Sequence, residues 1–175
     1  GLNCIQAAAI MGALTNIAVD LSPNKLEAAM TFGATHALHA THPDVVDEIK
    51  TLTAGRGADY VFVATGSGAA MAVAPLLVRR GGTVVLVGMA PSGLKVEYEP
   101  LEIANDSIRL IGSKMGGARL QTDIPTLLAH YRSGRLKLDE LVSGCYSLED
   151  INKAIDSVKR GEALRNVIVF YGESA

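Results

Sequence analysis

The chain has 175 residues, a length that suits one ordinary domain, with or without part of a second, and that suffices to bury a core. Apolar residues make up 49% and charged residues 19%, with a formal net charge of −2, which excludes a nucleic-acid or anionic-membrane binder driven by bulk charge. No apolar run approaches the ~20 residues that span a bilayer and no cleavable leader is visible, so a cytoplasmic protein is expected.

Residues 1–13 have helical composition, and NIAVD over 16–20 reads as a short strand. SPNKLEAAMTFG over 22–33 carries the start and stop signals of a helix: Ser22 as N-cap, Pro23 at the first helical position and Gly33 at the end. HALHA over 36–40 predicts a second strand, 44–53 a helix, and DYVFVAT over 59–65 a third strand. A helix over 68–79 stops at Gly81-Gly82. TVVLVG over 83–88 is then a continuous β-branched run, the pattern of a parallel strand covered on both faces. A strand over 107–115 (SIRLIGSKM) and a helix over 119–133 follow. The last segment reads as strand, helix, basic turn and strand, with Ser147 and Asp150 at the spacing of a capping box. Strand and helix alternating in this way predict a doubly wound parallel α/β sheet.

A helix that begins on a glycine offers unpaired backbone N–H groups and the positive end of its dipole, and both attract phosphate. A carboxylate ending the next strand can accept hydrogen bonds from the two hydroxyls of an adenosine ribose. Asp20 lies nineteen residues after Gly1, close to the ~20-residue offset of a dinucleotide fingerprint. Its charge repels a 2′-phosphate and so favours NAD over NADP. On these residues alone, Asp20 also reads as an ordinary residue on the approach to a helix. Cys4 and Cys145 are far apart and read as free thiols. His36, His39 and His42 recur every third residue, yet i and i+3 in a strand point to opposite faces, so solvated histidines are expected there rather than a metal site.

The ordered set GLNCIQAAAIMGALTNIAVDLSPNKLEAAMTFGATHAL, GADYVFVATGS, LLVRRGGTVVLVGM, GSKMGG and GEALRNVIVF resembles the medium-chain dehydrogenase/reductase superfamily over essentially the whole chain. Asp20, Lys25 and the final motif make it look most like the zinc-dependent alcohol dehydrogenase branch. The resemblance implies a Rossmann-type sheet binding NAD. Gly1 and Leu2 would end the Gly-rich turn facing the pyrophosphate, and Arg165 would reach the same group. Asp20 would hold the adenosine ribose with Lys25 beside it. Thr65 and Gly66 would end one strand at the carboxyl edge, and Val87 and Gly88 would end the next against the nicotinamide side. Ser113 and Met115 would meet the carboxamide end, although relatives often carry an aromatic at the latter position. The edge strand around Ile108–Ser113 matches the segment through which relatives pair, which implies a homodimer or homotetramer.

The family fingerprint is longer than what is seen here, and this chain starts on its last glycine. In the strand order 3-2-1-4-5-6 the missing first strand is central. Its loss would leave unpaired backbone on both sides of a gap. The expectation is therefore a portion of a larger enzyme: residues 1–142 a Rossmann domain lacking its first central strand, residues 143–175 a segment returning to a catalytic domain. In the family, zinc in that other domain is held by two cysteines and a histidine and polarises the alcohol. Neither Cys4 nor Cys145 matches a ligand position, so no catalytic or metal-binding residue is assigned. The implied reaction is hydride transfer between NAD and a small alcohol, aldehyde or ketone. Alternatives are a zinc-free NAD(P)H quinone or enone reductase of the same superfamily, a non-catalytic nucleotide-binding module, or a methyltransferase using S-adenosylmethionine.

Overall fold

The computed structural model describes residues 1–170. Helices and strands alternate as α1 (Leu2–Ile10), β1 (Ile17–Asp20), α2 (Pro23–Thr31), β2 (His36–His39), α3 (Val45–Leu52), β3 (Ala58–Val63) and α4 (Gly68–Leu77). The second half runs β4 (Val78–Leu86), α5 (Pro100–Asn105), β5 (Arg109–Gly112), α6 (Leu120–Arg132), β6 (Val142–Ser147), α7 (Ile151–Lys159) and β7 (Arg165–Val169). Every strand pairing is parallel. The strands fall into three sheets, β1-β2, β3-β4-β5 and β6-β7. Among the described residues β1 and β3 do not pair, and each keeps one edge without a strand partner.

Ile17 and Ala18 at the start of β1 are covered on opposite faces, as in a parallel strand, while Val19 is exposed. Ile17 packs with Leu38, Ile49 and Leu77, which brings α3 and α4 to one side. Ala18, the next residue, packs with Ala29, Leu2 and Ile5 from α2 and α1 on the other. Helices approach closely there because the contact residues are small: a Cβ on Gly33, at φ +101°, would lie 2.8 Å from that of Ala9. A third cluster of Val63, Met71, Ala74, Val78 and Val84 locks α4 onto β3 and β4, with Val84 wholly buried.

Two buried amides tie these layers together. Gln6 is only 2% exposed. Its side chain donates to the Lys137 carbonyl at 3.0 Å and accepts from the Lys137 N–H at 2.7 Å, fastening α1 to the segment after α6. Asn16 donates to the carbonyls of Ile5 and Gly33, both at 2.9 Å, joining the middle of α1 to the loop before β2. A buried amide left without such partners would cost free energy comparable to a lost hydrogen bond.

Several elements differ from expectation, each for a local reason. The helix predicted to 79 ends at Leu77, and β4 starts at Val78 instead of beyond the two glycines. Val78 pairs with Ala58, residues 79–82 bulge, and pairing resumes at Thr83. Gly81, at φ +69°, supplies the bend and donates its N–H to the Asp106 carbonyl at 2.7 Å. The predicted capping box does not form. Ser147 is the last residue of β6, and the Asp150 carboxylate pairs with Lys153 at 2.7 Å instead of capping α7. Ser22 does precede α2, but its own N–H is held by Asp20 and its side chain caps nothing. The strand expected over 107–115 shortens to β5, and a 3-10 turn follows at Met115–Gly117. α5 was not anticipated; Pro100 at its first turn is the signal for it.

Candidate functional site

Most of the residues singled out in the sequence lie at the carboxyl ends of β1, β3 and β4 or at the N-terminus of α1. The carbonyl of Gly1 accepts the N–H groups of Cys4 and Ile5 at 2.8 and 3.1 Å. The amides of Leu2 and Asn3 have no acceptor among the described residues, the ordinary condition of a helix start. A Cβ on Gly1 would lie 4.0 Å from that of Ala64, so this helix end faces the segment leaving β3.

Asp20 ends β1 half-buried. One carboxylate oxygen accepts the Ser22 N–H at 2.9 Å, and the other has no partner among the described residues. That free oxygen suits the hydroxyl of a sugar. Ser22 places Lys25 one turn into α2. The Lys25 ammonium reaches the turn after α7, 3.8 Å from where a Cβ on Gly161 would be. In that turn Arg160 makes a two-point contact with Glu162 at 2.8 and 3.0 Å. The pairing holds the Glu162 carboxyl below its usual range and raises Arg160 further. Lys25 and Arg165 have no carboxylate partner among the described residues, so their charge stays available to an anion. The Arg165 backbone is fastened to the Ser143 hydroxyl at both its N–H (3.0 Å) and its carbonyl (3.1 Å), with the side chain exposed.

The ends of β3 and β4 meet backbone to backbone. A Cβ on Gly88 would collide with the carbonyl and nitrogen of Thr65, and one on Gly66 would lie 2.5 Å from the Met89 carbonyl oxygen. Only glycine permits this approach. Beside it Leu86, Val87, Gly88, Met89, Gly112 and Ser113 line an open cleft of about 340 Å³ that Lys114 also borders. Ser113 is held there by its N–H, which donates to the Leu86 carbonyl at 2.9 Å. Met115 lies outside this group; it is 80% exposed with a left-handed backbone (φ +52°) and does not line the cleft. Met89 and Lys114 border the cleft without having been singled out, although both sit inside quoted motifs, next to Gly88 and Ser113.

The histidines take separate partners. His36 bonds Thr35, His39 bonds Leu21 and Thr41, and His42 accepts the Asp44 N–H. Among the described residues no three His, Cys, Asp or Glu side chains gather as a metal would require. The residues described do not fit a zinc ion. No helix among them is long and apolar enough to cross a membrane.

With this geometry in view, the model of the family "Zinc-binding dehydrogenase" matches residues 1–133, and the chain belongs to that family. It is 35% identical over 178 residues to alcohol dehydrogenase class-3 of Cereibacter sphaeroides, covering 97% of this chain and 47% of that protein. The chain thus spans about half the length of the curated relatives it matches. Its fold superposes on benzyl alcohol dehydrogenase of Acinetobacter calcoaceticus with a TM-score of 0.93 at 27% identity, covering 98% of this chain and 47% of that one. A zinc-binding dehydrogenase of Sinorhizobium meliloti, solved bound to NADP, gives 0.82 at 28% identity over 97% of this chain and 49% of its own. The parallel sheets and flanking helices are those of the Rossmann-like coenzyme-binding domain in such neighbours.

Proposed function

We propose that this chain is the coenzyme-binding portion of an NAD-dependent, zinc-type alcohol dehydrogenase. Residues 1–142 form the NAD-binding domain in this reading. Residues 143–175 return to a catalytic domain, the last five lying outside the described residues. The observation that carries it is Asp20: a half-buried carboxylate at the carboxyl end of β1, with one oxygen tied to Ser22 and the other uncommitted. Such a group accepts the ribose hydroxyls of NAD and repels the 2′-phosphate of NADP.

The other residues take roles along the same edge. Gly1 and Leu2 bring the N-terminus of α1, with its free amides, to the pyrophosphate, and Lys25 and Arg165 add positive charge around it. Thr65, Gly66, Val87 and Gly88 form a wall on which the nicotinamide rests, and Ser113 orients its carboxamide. Met115 can join only by moving in from solvent. The bound coenzyme supplies the hydride chemistry; this chain binds and orients it. The substrate is a small alcohol, aldehyde or ketone. The unpaired edge of β5 is where a second copy would pair, giving a homodimer or homotetramer.

Titration with NADH and NADPH, read by nicotinamide fluorescence, tests the reading. The protein should bind NADH more tightly, and Asp20→Ala should weaken NADH roughly tenfold while narrowing the gap to NADPH. Unchanged affinity for both would overturn the ribose assignment. Stabilisation by S-adenosylmethionine but not by NADH would replace it with a methyltransferase.

A further inference from the structure

The residue opposite Asp20 in the β1-β2 register is His39, and the turn leaving β1 depends on it. The peptide unit joining Leu21 to Ser22 is held on both sides. Its N–H donates to the Asp20 carboxylate at 2.9 Å, and its carbonyl accepts from His39 Nε2 at 2.8 Å. A carbonyl only accepts, so Nε2 carries the proton. The other ring nitrogen, Nδ1, accepts the Thr41 N–H at 3.4 Å and lies 2.8 Å from the Thr41 hydroxyl, so Nδ1 faces a donor and Nε2 an acceptor. Because a peptide group is planar and rigid, orienting its carbonyl also orients its N–H. Thr41, His39, the peptide plane and Asp20 therefore form one hydrogen-bonded chain ending at the carboxylate. The end of β2 adds a second fastener, since Ala40 donates its N–H to the Asp20 carbonyl at 3.0 Å.

From this geometry we infer that His39 is a positioning residue for coenzyme selection: it aims the free oxygen of Asp20 without touching the coenzyme itself. The inference rests on the proposed ribose role of Asp20. It also gives the middle histidine of HALHATH a purpose, because its Nε2 is already committed to a carbonyl and is closed to a metal. Loss of the ring donor frees the peptide to rotate. The carboxylate then samples several directions, at a cost to NADH binding and to the exclusion of NADPH.

The test is the same fluorescence titration on the intact protein, with His39→Phe and His39→Gln. His39→Phe keeps a ring and loses the donor; it should bind NADH roughly fivefold more weakly, the worth of about one hydrogen bond, with a smaller NADH-to-NADPH preference. His39→Gln places an amide N–H near the position of Nε2 and should restore both. Should His39→Phe fail to fold, His39→Asn serves in its place, because its amide is too short to reach the Leu21 carbonyl. In an Asp20→Ala background the loss of the donor should have no further effect on NADH affinity. Unchanged NADH affinity in the donor-free variant, or an equal loss with and without Asp20, would overturn the positioning role alone. If Asp20→Ala itself changes nothing, the ribose reading fails and takes this inference with it.

Discussion

Three backbone atoms of Thr65 occupy the space beside Gly88 that any side chain would need. Gly88→Ala should therefore destabilise the protein by about 1–3 kcal/mol, as overpacking does, or displace the end of β3. The matched control is Gly112→Ala, where nothing lies within 4 Å and the change should stay within about 0.5 kcal/mol. Thermal unfolding of both variants checks this, and equal stability would show that the contact yields. Sequence reading marked Gly66 and Gly88 through family resemblance alone, because a close approach between two backbones leaves no trace in periodicity. Asp20 was singled out by its spacing to Gly1, and the structure places it at the end of β1. The role of His39 was not legible, since it depends on a cross-strand register that no local pattern reveals. Met115 drew attention for the same reason as Ser113, yet a left-handed backbone turns it to solvent.

Among the helices, α1 shows how a polar residue inside an apolar run can be structural. Gln6 lies within the first quoted motif, and the structure supplies a physical reason for it: it satisfies both backbone groups of Lys137. Replacing Gln6 with Leu keeps the volume and removes both bonds. A loss of about 1–3 kcal/mol is expected in chemical denaturation, reflecting the penalty of polar groups left unpaired next to a buried side chain. A variant as stable as the parent would mean that water replaces the amide fully. Most elements were legible because β-branched runs, Pro23 and Gly33 speak locally. The junction of α4 and β4 was not, because Gly81-Gly82 punctuates a bulge inside a strand instead of the turn before one. The capping box at Ser147 failed for a related reason, as the competing Asp150–Lys153 pair takes the carboxylate.

At the scale of the whole molecule, the parallel α/β class followed from the rhythm of strands and helices, and the break between β1-β2 and β3-β4-β5 from the expected lack of a central strand, whereas the pairing of β6 with β7 in a sheet of their own did not. Pairing partners are set by tertiary packing, and the β6-β7 unit reads in sequence like any other strand–helix–strand. Among the described residues β5 has one partner, β4, and all four of its residues are exposed, Leu110 and Ile111 among them. No residue of α6 is buried, and Leu120, Ile124, Leu127 and Leu128 are all exposed. An apolar edge left open invites pairing with a second chain. If β5 is the pairing edge, lysines at Leu110 and Ile111 should shift the protein toward monomer in sedimentation equilibrium. An unchanged mass would place the interface elsewhere.

The backbone contact between Thr65-Gly66 and Gly88-Met89 separates the residues of the proposed coenzyme edge into those closed to variation and those open to it. Directed evolution toward a different coenzyme would recover almost no viable substitutions at Gly66 or Gly88, where any Cβ meets a carbonyl. Its gains would collect at the far end, around Asp20, the exposed Leu21 and the end of β2. A library built on those few positions, with both glycines held constant, would sample most of the accessible change in coenzyme preference.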